Sequence, residues 1–103
     1  MKRLWFVDGE PLVPEETFFL GPIKEKLDLI ADTVPVMYRV VFFRKGQDIL
    51  MMFSSSEEEI NEADEICAII TRDLIEINED YIDDLNELLD EKMLKLICSW
   101  WLT

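Results

Sequence analysis

Residues 36–53 consist of two apolar segments joined by a turn, and this pattern limits the folds open to the chain. The first segment, 36–44, is rich in β-branched and aromatic residues, and the second, 48–53, follows Lys45-Gly46. A glycine in so short a connection favours a β-hairpin. Odd and even positions of both segments are largely apolar, so both faces need cover. The pattern therefore predicts a hairpin that lies centrally in a sheet and is covered by helices on at least one side.

The residues before the hairpin predict a short pair of strands and one helix. Residues 3–7 have the composition of a strand, and Asp8-Gly9 is a strong turn signal. A return strand at 12–13 lies between two prolines, which restricts it to a short edge strand. A helix is predicted over 22–32, because a proline suits its first turn and apolar residues recur at helical spacing. This helix should end near Asp32, because Pro35 disfavours helical backbone at the preceding residue, Val34.

The residues after the hairpin predict two acidic helices. Ser56 and Glu59 have the spacing of a capping box. An apolar stripe at helical steps follows, formed by Ile66, Ile69, Ile70, Leu74 and Ile77. The pattern resumes at Tyr81, so helices are predicted over 57–77 and 80–95, with a break near 78. The pattern of residues 96–102 fits either the end of a helix or a final strand.

These elements predict an α+β fold in a single domain over 1–103. The expected structure is a small, mainly antiparallel sheet centred on the 36–53 hairpin, packed by a short helix and by two acidic helices of the C-terminal half. No segment contains the ~18 uncharged residues that a membrane span requires, so a cytoplasmic protein is expected. Cys67 and Cys98 are expected to be buried free thiols, with a disulfide as the alternative.

The excess of acidic over basic residues is confined to one segment of the chain. The formal net charge is −13, from 23 acidic and 10 basic residues. Residues 57–91 contain 15 acids and a single base, Arg72, whereas residues 1–56 contain 8 acids and 7 bases. A helix that needed only solubility would gain more from mixed Glu and Lys, because like charges at these steps destabilise it. The omission of bases favours a surface that attracts a basic partner, with simple solubility as the alternative.

The acids of this segment recur at three- and four-residue steps, which places them on one face of a continuous helix. At a rise of 1.5 Å per residue, their spacing of about 5–6 Å is close to that of phosphates along a nucleic-acid strand. Direct binding of nucleic acid or of a membrane is not expected, since phosphates would be repelled. The candidate contacts to a basic partner are Glu58, Glu62, Glu65, Asp73, Glu76, Asp80, Asp83, Asp84, Glu87 and Asp90.

Catalysis and cofactor binding find little support in the residues. The chain has no histidine, which removes the commonest general base and most transition-metal sites. Its three glycines lie far apart, so no phosphate-binding loop is expected. The two cysteines lack the spacing of a zinc site. No cofactor or metal and no enzymatic activity are therefore expected, with a pair of converging carboxylates as the minor alternative.

In size, charge and acidic helices, the chain resembles two broad groups of small acidic proteins. One group comprises phage-encoded inhibitors that mimic nucleic acid, and the other comprises immunity proteins that neutralise nuclease toxins. The resemblance implies an inhibitor or immunity-type protein that binds the basic nucleic-acid-binding surface of a nuclease or another nucleic-acid enzyme. It carries no family motif and assigns no residue roles.

The alternative function is a structural or adaptor module, with a homodimer as one of its forms. Such a module would bind through apolar surface, and its acids would serve solubility only. Trp100, Trp101 and the edge of the hairpin would then make the contacts, since tryptophan is enriched where binding energy concentrates.

Overall fold

The computed structural model describes residues 3–55, 59–61 and 63–100. Six strands are formed by these residues: β1 (Leu4–Val7), β2 (Glu10–Pro11), β3 (Tyr38–Lys45), β4 (Asp48–Ser55), β5 (Glu65–Ile70) and β6 (Leu74–Ile77). Three α-helices accompany them: α1 (Pro22–Thr33), α2 (Ile82–Leu88) and α3 (Glu91–Ser99). Two stretches of 3₁₀ helix, Pro14–Leu20 and Glu79–Tyr81, lead into α1 and α2. The predicted α+β fold is confirmed.

The strands form one mixed sheet in the order β2-β1-β6-β5-β3-β4. Only β1 and β6 pair in parallel among the described strands, and all other neighbours are antiparallel. The first turn follows the prediction closely, because Asp8 and Gly9 both adopt positive φ, of 51° and 84°. The return strand β2 comes directly after this turn, and not at 12–13 as predicted.

The β3–β4 hairpin lies at one side of the sheet, with β4 as the outer strand, and not at its centre as predicted. The hairpin has two apolar faces because both are covered, and not because it lies centrally in the sheet. Val40 and Phe42 pack toward the helices, whereas Val41 and Phe43 point to the opposite face and are also buried. Residues 59–61 line a small cavity with Phe43 there, so a loop covers part of this second face.

The predicted helix over 57–77 is wrong, because β5 and β6 occupy its second half. The apolar positions fit a helical period, but the run Ile66–Ile70 is short and rich in β-branched residues, and period alone cannot separate such a strand from a buried helix. Pairing with β3 decides the outcome, since Ala68 lies opposite Phe42 in the sheet. Thr71 then forms a tight turn by donating its backbone N–H to the carbonyl of Leu74. The predicted cap at Ser56 lies outside the described residues.

The predicted helix over 80–95 is present as two helices, α2 and α3. α2 ends at Leu88, and Asp90 caps the next helix by accepting a 2.8 Å hydrogen bond from the backbone N–H of Met93. α3 continues to Ser99, so the open segment 96–102 is helical over its first four residues.

The core lies between one face of the sheet and the helices. Ile23, Leu27 and Ile30 of α1 are fully buried in this core. Leu85 of α2 and Leu89, which directly follows α2, are also fully buried there. Cys67 and Cys98 are free thiols, as predicted, the first buried and the second half-buried. Among the described residues, no helix combines the length and apolar character that a membrane span requires.

Candidate functional site

Four exposed acids lie on one side of the segment that leads into and forms α2. We call Asp80, the adjacent pair Asp83 and Asp84, and Glu87 the acidic face, because each of the pair lies three or four residues from Asp80 and from Glu87. Leu85 lies on the opposite side of α2 and is fully buried in the core. No lysine or arginine occurs between residues 73 and 91. The amphipathic pattern therefore presents an unbroken negative surface to solvent at this end of the molecule.

A groove of about 590 Å³ separates the acidic face from the turn of the β3–β4 hairpin. Asp84 and Glu87 line one wall, and Asp48 lines the other. Ile49 and Leu50 of β4 complete the hairpin side. The Ile49 side chain packs toward the helices, whereas Leu50 points to the opposite face of the sheet. Negative charge thus comes from two elements that are far apart in the sequence, and apolar surface lies directly beside it.

Among the residues that the structure describes, Arg44 is the one base that lines this groove, and its charge is balanced within the protein. Its Nε donates to the Tyr81 hydroxyl at 2.9 Å, and its terminal nitrogens lie 3.8 Å from the carboxylates of Asp64 and Glu65. The hydrogen bond from Arg44 to Tyr81 is the main reason that the pKa of Arg44 is raised. Arg44 therefore joins strands β3 and β5 to the start of α2 and adds little positive potential for a ligand.

Glu65, one of the predicted contacts, belongs to this internal network. Its Oε2 accepts a 2.5 Å hydrogen bond from the Tyr81 hydroxyl, and its Oε1 accepts one from Asn78 at 3.3 Å. The bond to Glu65 is the main reason that the pKa of Tyr81 is raised, so the phenol stays protonated and donates. Glu65 thus helps to hold α2 on the sheet, and its predicted contact with a partner stays a prediction.

The other predicted contacts do not form one continuous row. Asp73 lies in the β5–β6 turn, and Glu76 is exposed on the sheet face that the helices leave uncovered. Asp90 is exposed and caps α3, one turn beyond the acidic face. Glu58 and Glu62 lie outside the described residues. A strand at 74–77 points its side chains alternately to two faces, and this separates acids that a helix would have aligned.

Basic residues in the first half of the chain are also engaged within the fold. The Arg3 guanidinium bridges Asp28 at 2.8 Å and Asp32 at 2.6 Å on α1, and its Nε donates to the carbonyl of Arg72. Lys24 pairs with Asp28 at 2.9 Å and lies 5.8 Å from the ring centre of Trp5. These pairs balance charge around α1, so they leave the excess of acid concentrated around α2.

The two thiols differ in environment, and this gives a testable difference in reactivity. Burial, followed by the charge of Glu65, raises the pKa of the Cys67 thiol to about 11, and burial also raises the pKa of Cys98. We expect a thiol reagent at pH 8 to label half-buried Cys98 in the folded protein, and to label Cys67 only at the rate of unfolding. Labelling at equal rates, measured by mass spectrometry of peptides, would contradict this.

The raised pKa of Cys67 also has a consequence for stability. A thiol whose pKa is higher in the folded than in the unfolded state stabilises the fold below the unfolded value, near 8.5–9. We therefore expect its contribution to fall as the pH rises from about 9 toward 11, and Cys67→Ala to show a flatter alkaline stability profile in urea unfolding. Equal slopes in both proteins would contradict the assignment to Cys67.

Two further features concern an apolar anchor and a metal site. Trp100, one predicted apolar anchor, follows α3 and is 51% exposed, whereas Trp101 lies outside the described residues. The described part of the chain brings no three Cys, Asp or Glu side chains together in a way that could hold a metal ion. Sequence reasoning missed the contribution of Asp48, because a single acid at the start of a strand carries no signal of its own.

Comparison with family models, with curated proteins and with solved structures finds no match for this chain. The chain is therefore described by its architecture alone. It has a mixed six-stranded sheet with helices on one face, and an acidic groove beside the hairpin turn.

Proposed function

We propose that the protein is an inhibitor or immunity-type binding protein that occupies the basic nucleic-acid-binding surface of a nuclease or another nucleic-acid enzyme. The observation that carries the proposal is the acidic face together with Asp48, because acids from two elements line one groove and the described base that lines it is internally balanced. A cationic groove built for phosphates has the charge that complements this surface.

The position of the acidic face supports the proposal in a second way. The Tyr81–Glu65–Arg44 network and buried Leu85 hold α2 against the sheet, so the backbone that carries the acidic face is in place before a partner arrives. Preorganised charges lose less conformational entropy on binding than charges on a flexible tail. Acids spread evenly for solubility would not require such a network.

Affinity capture from a lysate of the source cells tests the proposal. The immobilised protein should retain a nucleic-acid enzyme at low salt, and the enzyme should be released as salt screens the charges. The captured enzyme should then lose its binding to labelled nucleic acid when this protein is added, because both ligands compete for one basic surface. Steep salt dependence and competition are each required.

A partner that binds nucleic acid unchanged in the presence of this protein would contradict the proposal. So would a complex that persists in high salt, since binding would then rest on apolar contacts. In either case the acidic face would serve solubility.

A further inference from the structure

Strand β4 forms a long outer edge of the sheet. It pairs with β3 over eight successive residues, from Lys45 opposite Asp48 to Tyr38 opposite Ser55, without a shift in register. No described strand pairs with its other side. Alternate residues of such a strand direct their N–H and C=O groups outward, and these groups are a template for a further strand.

Proteins usually protect such an edge, and β4 shows none of the common devices. It contains no lysine, arginine or proline, and its one charge, Asp48, stands at its first position. The opposite edge of the sheet differs, because β2 has only two residues and one of them is Pro11. Short strands and prolines block edge-to-edge pairing. The two edges of the sheet thus differ, and among the described strands β4 alone presents a long edge that is open to pairing.

The side chains at this edge also favour association. Leu50 is 42% exposed, and Met51 and Met52 are half-buried on opposite faces of the sheet. A strand added beside β4 would cover all three. Burial of apolar surface is the main favourable term when proteins associate.

We propose that the occupant of this edge is a second copy of the same chain, which pairs through its own β4 in antiparallel orientation about a two-fold axis. Opposite residues of an antiparallel pair lie on the same face. An axis at Met51 therefore places Leu50 opposite Met52 of the second copy, and Met51 opposite its own equivalent. The two six-stranded sheets then form one continuous sheet.

A second copy fits this edge without charge repulsion at the seam, despite the net charge of −13. With the axis at Met51, Asp48 lies opposite Ser54 of the second copy, so no acid faces an acid across the seam. Antiparallel pairing also puts the two hairpin turns, and the acidic grooves beside them, at opposite ends of the seam. This inference does not rest on the proposed function, although Asp48, Ile49 and Leu50 at the start of β4 also line the acidic groove.

The mass of the protein in solution tests the dimer. Sedimentation velocity over a wide range of concentration should give twice the 12.2 kDa of the chain, in low and in high salt. Leu50→Lys should return the protein to a single chain and raise the dissociation constant at least about a hundredfold, because two ammonium groups would be buried in the seam without partners. The matched control is Leu4→Lys on β1, which makes the same change at a 59% exposed position of the same sheet face and should leave the dimer intact.

Three outcomes would overturn the dimer. They are a single-chain mass for the unaltered protein at every concentration, a dimer that persists in Leu50→Lys, and equal dissociation of Leu4→Lys. Circular dichroism checks that each variant folds. Should Leu50→Lys fail to fold, hydrogen exchange of the unaltered protein decides. The alternate amides of 48–55 that point away from β3 must gain protection as concentration rises. Constant protection of these amides rejects the pairing.

Discussion

Reversal of charge at Asp83, Asp84 and Glu87 is expected to slow association with the captured enzyme by about tenfold to a hundredfold at low salt. All three side chains are exposed on the acidic face, and two of them line the groove. Long-range attraction between opposite charges accelerates encounter by such factors and falls steeply with ionic strength. Stopped-flow or surface-based kinetics of the triple lysine variant measures the change, which should shrink as salt is added.

A matched triple variant separates the local surface from the total charge. Glu15, Asp73 and Glu76 are exposed acids outside the acidic face, and their reversal gives the same formal net charge of −7 in place of −13. We expect this control to retain most of the association rate. Equal slowing in both variants would show that only net charge matters, and the acidic face would lose its role as a binding site.

Substitution of Leu85 by alanine is expected to destabilise the protein by about 2–5 kcal/mol. Leu85 is fully buried and anchors α2, a helix of seven residues that is too short to be stable by itself. The loss should lower the thermal midpoint by roughly 10 °C or more. It should also weaken partner binding, because the acidic face is held in position by the packing of α2.

Leu96→Ala is the control for this substitution. Leu96 lies on α3 with 59% of its surface exposed, so its removal leaves no cavity and should change stability by less than about 0.5 kcal/mol. Urea unfolding followed by circular dichroism measures both variants. A small effect of Leu85→Ala would mean that α2 is not anchored as described, and a large effect of Leu96→Ala would place that side chain in a contact beyond the described core.

Elements whose signals are local could be predicted from the sequence. The Asp8-Gly9 turn, α1 and the β3–β4 hairpin depend on turn residues, a proline at a helix start and short-range periodicity, all of which can be read within a few residues. The segment 57–77 could not be assigned in this way. Its apolar residues suit either a buried helix or a buried strand, and the choice of strand depends on pairing of Ala68 with Phe42, 26 positions earlier in the chain.

In the candidate site, too, the features with local signals could be predicted and those that depend on long-range contacts could not. Periodicity placed Asp80, Asp83 and Glu87 on one face, and this holds because the spacing is helical where α2 forms. The sequence did not show that Glu65 bonds to Tyr81 of another element, and the expected helical row through Asp73 and Glu76 is absent because β6 forms there. The groove itself could not be predicted, because Asp48 and Asp84 line the same groove only when the hairpin turn and α2 pack together.

The sequence by itself determined the α+β class, the hairpin, the first helix and the restriction of excess acid to one part of the chain, because propensity, turn chemistry and charge are properties of neighbouring residues. The tertiary structure alone decided which acids share a surface, which base is neutralised and which strand edge remains open. These outcomes depend on contacts between residues far apart in the chain, and for such contacts the local pattern contains no signal.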